Sequence, residues 1–546
     1  MRHGGHILAD HLAAYGVERV FSVPGESFLA ALDGLLTAGI PNVVCRHEGA
    51  AAMMAEATGK LTGRPGIAFV TRGPGATNAA AGVHIARQDS TPMILFVGQI
   101  DRSHVDREAF QEMDYAAVFG PIAKWAAEVR QTDRLPEYIA RAFHVAISGR
   151  PGPVVLALPE DMLSDHAEVA DIPPPAPRPA GIDPTATMAI TTELGRAKRP
   201  LVVVGGPHWS AQAATDLARF AENWSLPVAV SFRRQDRLDN DHPNYAGDLG
   251  VGMNPKLAQR LKDADLILAL GTRMGDIATA GYTLVTPGQP QQRLIHIHPD
   301  PDLPGTVYRP DLAVTARADA MLAALATTTP PATPWSDWTT QARTDYIAWQ
   351  VPKPTPGAVR MEDTIAWLSA HLPHDAIVTN GAGNYAAFLH RYYRFRRHGT
   401  QLAPTSGSMG YGFPAAIAAK LHHPGRTVVC LAGDGCFQMT LNEMSTAIQA
   451  NAAVIVVVCN NGRYGTIRMH QERSYPGRVS GTDLVNPDFA ALARAYGGHG
   501  EAVTRQDDFA AAFQRAKASG TLSVIEMKLD PDMLSTGQSL SDLRVR

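Results

Sequence analysis

Two polar side chains follow strand-like segments in the last third of the chain. Asp434 lies between Gly433 and Gly435 after RTVVCLA, and Asn461 follows AVIVVVCN. Because the carboxyl ends of parallel strands meet at one edge of a doubly wound sheet, where such folds bind ligands, we expect both side chains there. Glycines let the backbone approach a phosphate, and Mg²⁺ bridges protein oxygens to phosphate oxygens. The pattern predicts a magnesium-phosphate site, although an ordinary strand-helix crossover with a polar loop could also carry it.

The motif GDG and the pair NN, in which Asp434 and Asn461 are 461 − 434 = 27 positions apart, resemble the signature of the thiamine diphosphate (ThDP) enzymes. This resemblance implies metal ligation by the side chains of Asp434 and Asn461 and by the backbone carbonyl of Arg463. It also implies that the cofactor is contacted by Gly433, Asp434, Gly435, Cys436, Asn461, Arg463 and Tyr464.

An acidic residue in the first third fits the same family. Glu48, in VVCRHEGAAAMMAEATGK, follows a strand-like run and precedes an alanine-rich helix, as the family's catalytic glutamate does. The resemblance implies a hydrogen bond to the cofactor pyrimidine that promotes removal of the C2 proton. The alternative is a carboxylate that stabilises a helix N-terminus. Nearby, TRGPGATNAAAG gives GxGxxN without the acidic residue of a dinucleotide fingerprint, and is typical of the acetolactate synthase branch.

Further segments resemble cofactor-binding loops. In TSGSMGYGFP, Met409 matches the apolar residue that holds the cofactor bent, and an ordinary core methionine is the alternative. VTNGAGNYAAF resembles a diphosphate loop, and VPGESF resembles the first glycine-rich turn. The cofactor contacts implied here are Pro24, Gly25, Gly383, Asn384, Gly407, Ser408 and Met409.

The resemblance to acetolactate synthases covers nearly the whole chain. In AFQE, Gln111 matches a glutamine that faces cofactor and substrate, and no histidine pair of the pyruvate decarboxylase type is present at the expected place. Two positions depart from the branch. Glu26 replaces a glycine and is either a proton donor or a solvated turn residue, and His470 stands where a tryptophan shapes the substrate pocket.

The middle of the chain resembles the FAD-binding unit of that branch only in part. GTRMGDI matches one FAD loop, with Arg273 as the matching arginine, whereas Pro207 and the segment LGVGMNP depart from other FAD contacts. The basic cluster Arg233, Arg234 and Arg237 either binds a nucleotide phosphate or lines a domain interface. The resemblance therefore implies ThDP and Mg²⁺ as cofactors and leaves FAD as an open alternative for the middle unit.

The elements that must position these residues follow from the pattern of the chain. Short β-branched runs alternate with alanine-rich stretches, which predicts parallel sheets covered by helices. IPPPAPRPAG at 172–181 and the proline-rich segments from Thr329 and Val351 cannot continue helices or central strands. We therefore expect an α/β protein with three doubly wound parallel-sheet domains of the ThDP-binding fold: a pyrimidine domain (1–170), a central domain (182–328) and a diphosphate domain (358–546).

The composition excludes several classes of protein. With 45% apolar and 18% charged residues and a net charge of −3, the chain is neither disordered nor a basic nucleic-acid binder. The N-terminus lacks a signal peptide pattern and no apolar run reaches about 20 residues, so we expect a cytoplasmic protein that does not bind membranes. The cysteines lie in apolar runs without metal-type spacing, which predicts buried thiols.

Three functions are compatible with these observations. The first, implied by the resemblance, is Mg²⁺- and ThDP-dependent decarboxylation of a small 2-keto acid with carboligation to a second carbonyl compound. The second is a decarboxylase or carbon-carbon lyase acting on a larger substrate, with Glu26 or His470 as proton donor. The third is an inactive regulatory paralogue. In this family Glu48 meets the GDG motif across a subunit interface, which implies a homodimer or homotetramer.

Overall fold

The computed structural model describes residues 1–174 and 181–544. Its architecture is three sheets of parallel strands, each flanked by helices, as the sequence predicts. The β-branched runs form the central strands and are buried on both faces. Most of the proline-rich segment 172–181 lies at 175–180, outside the described residues, and the domain limits at 170, 182, 328 and 358 remain an interpretation of the sequence.

The N-terminal unit contains the first sheet and a small antiparallel ribbon. Its strands are β1 (Arg2–His3), β2 (Val20–Ser22), β3 (Asn42–Val44), β4 (Gly66–Val70), β5 (Met93–Gln99), β6 (Trp125–Glu128), β7 (Pro153–Pro159) and β8 (His166–Ala167). Its helices are α1 (Gly4–Ala14), α2 (Leu29–Thr37), α3 (Glu48–Thr62), α4 (Pro74–Asp89), α5 (Tyr115–Phe119), α6 (Leu135–Ile147) and α7 (Glu160–Ser164). The parallel sheet has the order β3-β2-β4-β5-β7-β6, and β1 pairs with β8.

The central unit contains the second sheet. Its strands are β9 (Pro200–Val204), β10 (Val228–Ser231), β11 (Tyr245–Leu249), β12 (Leu266–Leu270), β13 (Arg293–His298) and β14 (Leu312–Thr315). Its helices are α8 (Pro184–Gly195), α9 (Ala211–Trp224), α10 (Pro255–Asp263), α11 (Ala318–Leu325) and α12 (Ser336–Trp349). The order β11-β10-β9-β12-β13-β14 is that of dinucleotide-binding folds, with a topological switch point between β9 and β12.

The C-terminal unit contains the third sheet. Its strands are β15 (Ile377–Asn380), β16 (Gln401–Leu402), β17 (Val428–Gly433), β18 (Ile455–Asn460), β19 (His499–Val503) and β20 (Ser523–Lys528). Its helices are α13 (Met361–His371), α14 (Tyr385–Tyr392), α15 (Gly412–His422), α16 (Asp434–Gln438), α17 (Met444–Gln449), α18 (Gly465–Ser474), α19 (Phe489–Ala495), α20 (Phe509–Ala518) and α21 (Leu540–Arg544). The order is β16-β15-β17-β18-β20-β19.

The first and third sheets share one topology. When the six strands of each sheet are numbered in chain order, both sheets have the spatial order 2-1-3-4-6-5. The switch points are therefore β2/β4 and β15/β17, and the polar loops identified in the sequence follow these strands.

The first and third units pack against each other through α3 and α15, and their buried residues form one apolar core. Both helices are rich in alanine and glycine, which allows close approach of their backbones. A buried polar cluster lies beside this contact: Tyr411 donates to Glu56 (2.5 Å), and Lys60 pairs with Glu56 (3.1 Å) and with Asp89. Each carboxylate is thus matched by a cation or a hydroxyl donor.

Two further predictions concern thiols and membranes. All four cysteines are buried and free, as expected: Cys45, Cys430, Cys436 and Cys459. Over residues 1–174 and 181–544, no helix combines the length and apolar character that crossing a bilayer requires.

Candidate active site

A cavity of about 210 Å³ lies at the carboxyl edge of the third sheet. It opens at the switch point between β15 and β17, where the loops after these strands diverge and leave a crevice. Many of the residues singled out in the sequence line it: Gly383, Asn384, Gly407, Met409, Gly433, Asp434, Gly435, Cys436, Asn461, Arg463 and Tyr464. Apolar side chains of Ile467, Leu529, Met533 and Leu534 complete its wall.

Asp434 is the buried acid of this cavity, with 3% exposure. Its Oδ1 accepts the N–H of Gly435 (2.8 Å), and its Oδ2 accepts the N–H of Gly462 (2.9 Å) and the side-chain amide of Asn486 (2.7 Å). Burial raises the pKa of this carboxyl above its usual value, and these hydrogen bonds oppose the shift. The carboxylate is therefore held in one orientation, in a place where a cation would favour its charged form.

Asn461 and Arg463 provide further oxygens. Asn461 directly follows β18 and donates its Nδ2 to the carbonyl of Met533 (3.5 Å), while no donor among the described residues contacts its Oδ1. The carbonyl of Arg463 accepts the N–H of Gly465 (2.9 Å) and retains a second lone pair. A carboxylate, an amide oxygen and a peptide carbonyl are hard oxygen ligands that suit Mg²⁺.

Close packing explains the glycines around the cavity. A Cβ on Gly435 would lie 2.4 Å from the ring of Tyr464, and one on Gly383 would lie 2.8 Å from the ring of Tyr385. Gly383 also has a φ of +148°, which side chains rarely adopt. A side chain at either position would therefore require the neighbouring tyrosine ring to move.

Cys436 and Met409, from two different segments, both line the cavity. The thiol of Cys436 accepts the hydroxyl of Tyr385 (3.3 Å) and the N–H of Gly410 (3.2 Å), which ties α16 to the segment that carries Met409. Met409 is half-buried and packs against the core of the third unit. Ser408 is adjacent but does not line the cavity.

Glu48 lies at the first position of α3, at the carboxyl edge of the first sheet. The imidazole of His47 caps the helix by accepting the N–H of Gly49 (3.0 Å). Asn78, in α4, donates its side-chain amide to Oε2 of Glu48 (3.0 Å). One carboxylate oxygen is thus fixed by Asn78, and the half-buried side chain is oriented rather than free in solvent.

The other N-terminal candidates gather at the same edge. Gln111 has a left-handed backbone (φ +65°) and lies against Gly73, where a Cβ would come within 2.8 Å of it. Arg72 donates to Glu26 (3.3 Å) and to Glu160 (2.9 Å), so the exposed Glu26 is part of an ion-pair cluster. The turn before it contains the exposed Pro24 and Gly25, which packs against Thr71.

Within one chain the two groups of candidates do not meet. Glu48, Gln111, Glu26, Pro24 and Gly25 belong to the edge of the first sheet, and none of them lines the cavity at Asp434. His470 does not line it either. It is exposed on α18, while Tyr464, at the N-cap of that helix, and Ile467, within it, face the cavity.

The C-terminal tail covers one side of the cavity. Asn384 donates its side-chain amide to the carbonyl of Leu534 (2.6 Å), and Met533 and Leu534 both line the cavity. Farther along, Arg544 pairs with Glu472 of α18 (3.1 Å). Leu534, Leu540 and Leu543 form an apolar cluster with Met469 of the same helix. The tail is therefore tied to α18 by both charged and apolar contacts.

A second cavity, of about 310 Å³, lies at the switch point of the central sheet. Gly206 and Gly271 approach each other so closely that a Cβ on Gly206 would lie 1.8 Å from the carbonyl oxygen of Gly271. Arg234 and Arg273 line the cavity together with Asp89 and Asp276, so charges of both signs lie in its wall. The segment LGVGMNP, which departs from the FAD contacts of the branch, lies elsewhere, beside a small void next to Trp349.

The basic cluster of the central unit contacts both other units. Arg233 donates to the carbonyl of Pro404, and Arg234 to the carbonyl of Asp89 (3.3 Å). Arg237 lies over Trp209. The sequence left open whether this cluster binds a nucleotide phosphate or lines a domain interface. Arg233 lies at the domain interface, and Arg234 lies both at the interface and in the cavity.

Several buried polar atoms of the residues that line the central cavity lack a hydrogen-bond partner among the described residues. Burial lowers the pKa of His298 to about 4, so its ring is neutral at pH 7. Its Nδ1 accepts the N–H of Asp300 (3.1 Å), which places the proton on Nε2, and no acceptor among the described residues contacts that atom. The buried hydroxyl of Ser406 likewise lacks a partner among them. These donors suit a polar ligand.

Sequence reasoning missed three contacts of the site. Asn486 holds Asp434 from a loop that carries no recognisable pattern, and Leu534 closes the cavity from the tail. Asn78 belongs to the GPGATN segment, so that motif did contain a signal, but its contact with Glu48 was not foreseen.

Known families match all three units of the chain. Residues 2–118 match the thiamine pyrophosphate enzyme N-terminal TPP binding domain, residues 188–325 the central domain, and residues 381–527 the C-terminal TPP binding domain. The C-terminal match contains the entire GDG-to-NN region around the first cavity. Thiamine pyrophosphate is another name for ThDP.

Individual relatives extend this similarity along the chain. The acetolactate synthase large subunit of Parasynechococcus marenigrum is 33% identical over 94% of this chain and 85% of its own length. The isozyme 3 large subunit of Escherichia coli is 33% identical over 91% and 89%, and the isozyme 2 large subunit is 29% identical over 97% and 96%. The chain belongs to the ThDP-dependent enzymes, in the branch that contains the acetolactate synthase large subunits.

Proposed function

We propose that the protein decarboxylates a small 2-keto acid and joins the remaining acyl carbon to a second carbonyl compound, with ThDP and Mg²⁺. The observation that carries the proposal is the cavity at the β15/β17 switch point, where Asp434, Asn461 and Arg463 provide hard oxygens beside glycines that admit a diphosphate. The printed names of the relatives, acetolactate synthase large subunits, support this reaction class.

The third unit holds the cofactor in this proposal. Asp434 and Asn461, with the carbonyl of Arg463, bind Mg²⁺, and the backbone at Gly383, Gly433 and Gly435 accepts the diphosphate. When bound, ThDP supplies the electron sink for decarboxylation of the keto acid. Met409 would support the cofactor from the cavity wall, since its half-buried side chain is anchored in the core of the third unit.

Glu48 is the proton-transfer residue of the proposal. Its Oε2 is held by Asn78, so that Oε1 remains for a hydrogen bond to the cofactor pyrimidine. Gln111, held against Gly73 at the same sheet edge, faces the substrate. Glu48 must reach a cofactor bound at Asp434, and a second copy of the chain brings the two edges together.

The surfaces around both edges support a homodimer as the minimal active unit. Phe110, beside Gln111, is 72% exposed, Ile467 in the cavity wall is 53% exposed, and Tyr475 at the C-terminal end of α18 is 66% exposed. Apolar side chains of this size in such places favour burial in an interface.

Mixing Glu48→Gln with Asp434→Ala, each inactive alone, should restore about a quarter of wild-type activity in randomly paired dimers, because half of the dimers are mixed and each of these has one intact site. No recovery after subunit exchange would contradict a shared site.

The surroundings of Glu26 and His470, the two proton donors considered for the second function, favour carboligation over simple decarboxylation. Glu26 is engaged by Arg72, and His470 does not line the cavity within one chain. The cavity wall itself is apolar, with Ile467, Met533 and Leu534. These apolar side chains would exclude water from the reacting carbon and so would favour addition to a second carbonyl compound over protonation.

Product analysis tests this function. The protein is incubated with Mg²⁺, ThDP and a panel of 2-keto acids beginning with pyruvate, and the products are identified by mass spectrometry, with Asp434→Ala as the inactive control. A hydroxy keto acid longer than the donor, such as acetolactate, is expected. An aldehyde alone would assign the protein to the decarboxylases. No turnover together with no ThDP binding would favour the inactive paralogue.

The central cavity supports a separate proposal, that it binds a nucleotide, with FAD the form that the resemblance implies. The glycine pair at the switch point, the cationic Arg234 and Arg273, and the free donors of His298 and Ser406 fit such a ligand. The purified protein should then show bound flavin in its visible spectrum, and His298→Ala should weaken flavin retention. A colourless protein that neither takes up added FAD nor changes its thermal midpoint with FAD contradicts this assignment.

A further inference from the structure

Three side chains that could bind a metal meet near the N-terminus, in the first unit and away from both cavities. His3 Nε2 lies 3.2 Å from Oδ2 of Asp33, and His6 Nε2 lies 2.9 Å from the same oxygen. One ligand atom from each residue lies within 4.8 Å of the other two. Thr37 Oγ1, 3.4 Å from His6 Nε2, is a weak additional neighbour.

The backbone around this cluster is fixed. His3 ends β1, where it pairs with His166 of β8, and its Nδ1 accepts the N–H of His6 (3.3 Å) as the cap of α1. Asp33 lies in α2, and α1 and α2 approach backbone to backbone. A Cβ on Gly5 would lie 1.8 Å from the carbonyl oxygen of Ala30, and one on Gly34 would lie 2.2 Å from that of Gly5. Such contacts leave little freedom in the distance between His6 and Asp33.

The donor set determines which ion would fit. Imidazole nitrogens suit Zn²⁺ and its neighbours among the transition metals, whereas Mg²⁺ and Ca²⁺ prefer oxygen ligands. In a tetrahedral zinc site with bonds of about 2.0–2.2 Å, adjacent ligand atoms lie about 3.3 Å apart. The distances of 2.9 and 3.2 Å are close to that value. The side chains of His3, His6 and Asp33 are 18%, 30% and 60% exposed, so an ion and a completing water can enter.

We propose that His3, His6 and Asp33 form a three-ligand site for a divalent transition metal of the Zn²⁺ class. When Nε2 of His3 binds the ion, its Nδ1 carries the proton and can no longer accept the N–H of His6. The long capping hydrogen bond from His6 is then lost. In exchange the ion joins α1 to α2. In the metal-free protein the same atoms form a hydrogen-bonded cluster in which both imidazoles face the carboxylate of Asp33.

The proposal is tested on untagged, full-length protein that is first stripped of metals by a chelator and then, with the chelator removed, loaded with ThDP and Mg²⁺. Titration with Zn²⁺ and with Co²⁺ should show one equivalent per chain, visible Co²⁺ absorption, and a higher thermal midpoint when metal is added. His6→Ala and Asp33→Asn should each weaken binding at least tenfold and abolish the rise in thermal midpoint. His374→Ala, which removes an exposed histidine of the third unit, should change neither.

The variants also separate a built site from general binding by surface histidines. Circular dichroism of the metal-free variants shows whether each is folded, and either folded variant suffices for the comparison. The proposal is overturned if the wild type binds neither ion. It is equally overturned if His6→Ala and Asp33→Asn bind Zn²⁺ as tightly as His374→Ala does.

Discussion

Asn486 donates its side-chain amide to Oδ2 of Asp434 at 2.7 Å and to Oδ1 of Asn460 at 2.8 Å. The first oxygen belongs to the carboxylate assigned to the metal, and the second belongs to the residue before Asn461. One amide therefore sets the spacing of the two strand ends that form the proposed magnesium site. Such partners of metal ligands control ligand orientation.

Asn486→Ala tests this relationship. Loss of the amide should weaken Mg²⁺-dependent ThDP binding about 10- to 100-fold, the usual cost of removing the partner of a metal ligand. Binding is followed by the quenching of intrinsic fluorescence at fixed Mg²⁺. Asn223→Ala, which removes two hydrogen bonds in the central unit, serves as the control. Equal ThDP affinity in both variants would refute a positioning role for Asn486.

Gly435→Ala tests the close packing of the diphosphate loop. The added methyl group would lie 2.4 Å from the ring of Tyr464, so the ring or the loop must move, at about 1–3 kcal/mol. We expect weaker ThDP binding, measured by calorimetry, with a protein that remains folded. Gly425→Ala, where a methyl group meets nothing within 4 Å, should bind ThDP normally. Normal binding by Gly435→Ala would show that this approach is not needed.

Truncation after Asp530 tests whether the tail excludes water. The shortened protein loses Met533 and Leu534 from the cavity wall and the anchor of Arg544 on Glu472. Carboligation should fall about tenfold or more while the aldehyde fraction rises, because water and protons reach the reacting carbon. Arg544→Ala should show the same change more weakly, and the exposed Arg505→Ala should not. An unchanged product ratio after truncation would contradict a covering role.

The buried His390 makes the fold sensitive to acid. Burial lowers its pKa from 6.5 to about 3, so between these values the unfolded chain binds more protons than the folded one. The stability that depends on neutral His390 is therefore fully present above pH 6.5 and is lost as the pH falls toward 3. At pH 5 the free energy of unfolding is lower by about 2 kcal/mol. His390→Gln should reduce the drop in thermal midpoint between pH 7 and pH 5. The same drop in His390→Gln as in the exposed control His374→Gln would contradict this origin.

The regular framework of the protein could be predicted because it depends on local patterns. Buried β-branched runs end at Gly433 and Asn460, so the place of Asp434 and Asn461 at one sheet edge followed from the sequence. The three parallel sheets are confirmed, and the roles of the site residues remain proposals.

The remaining contacts depend on long loops that no local pattern describes. The partners of Asp434 and Asn384 come from residues 486 and 534, whose neighbours carry no periodicity that fixes their position. The ion pair of Glu26 with Arg72 and the outward orientation of His470 likewise depend on tertiary packing rather than on residue type.

Exchange of the C2 proton of bound ThDP tests the central claim most directly, because it requires the cofactor site and Glu48 but no substrate. The exchange is followed by NMR after acid quenching of protein loaded with ThDP and Mg²⁺. Wild-type protein should exchange rapidly, Glu48→Gln should bind ThDP but exchange about 10² to 10⁴ times more slowly, and the exposed Glu168→Gln should match the wild type. Exchange in Glu48→Gln at the wild-type rate would contradict the account.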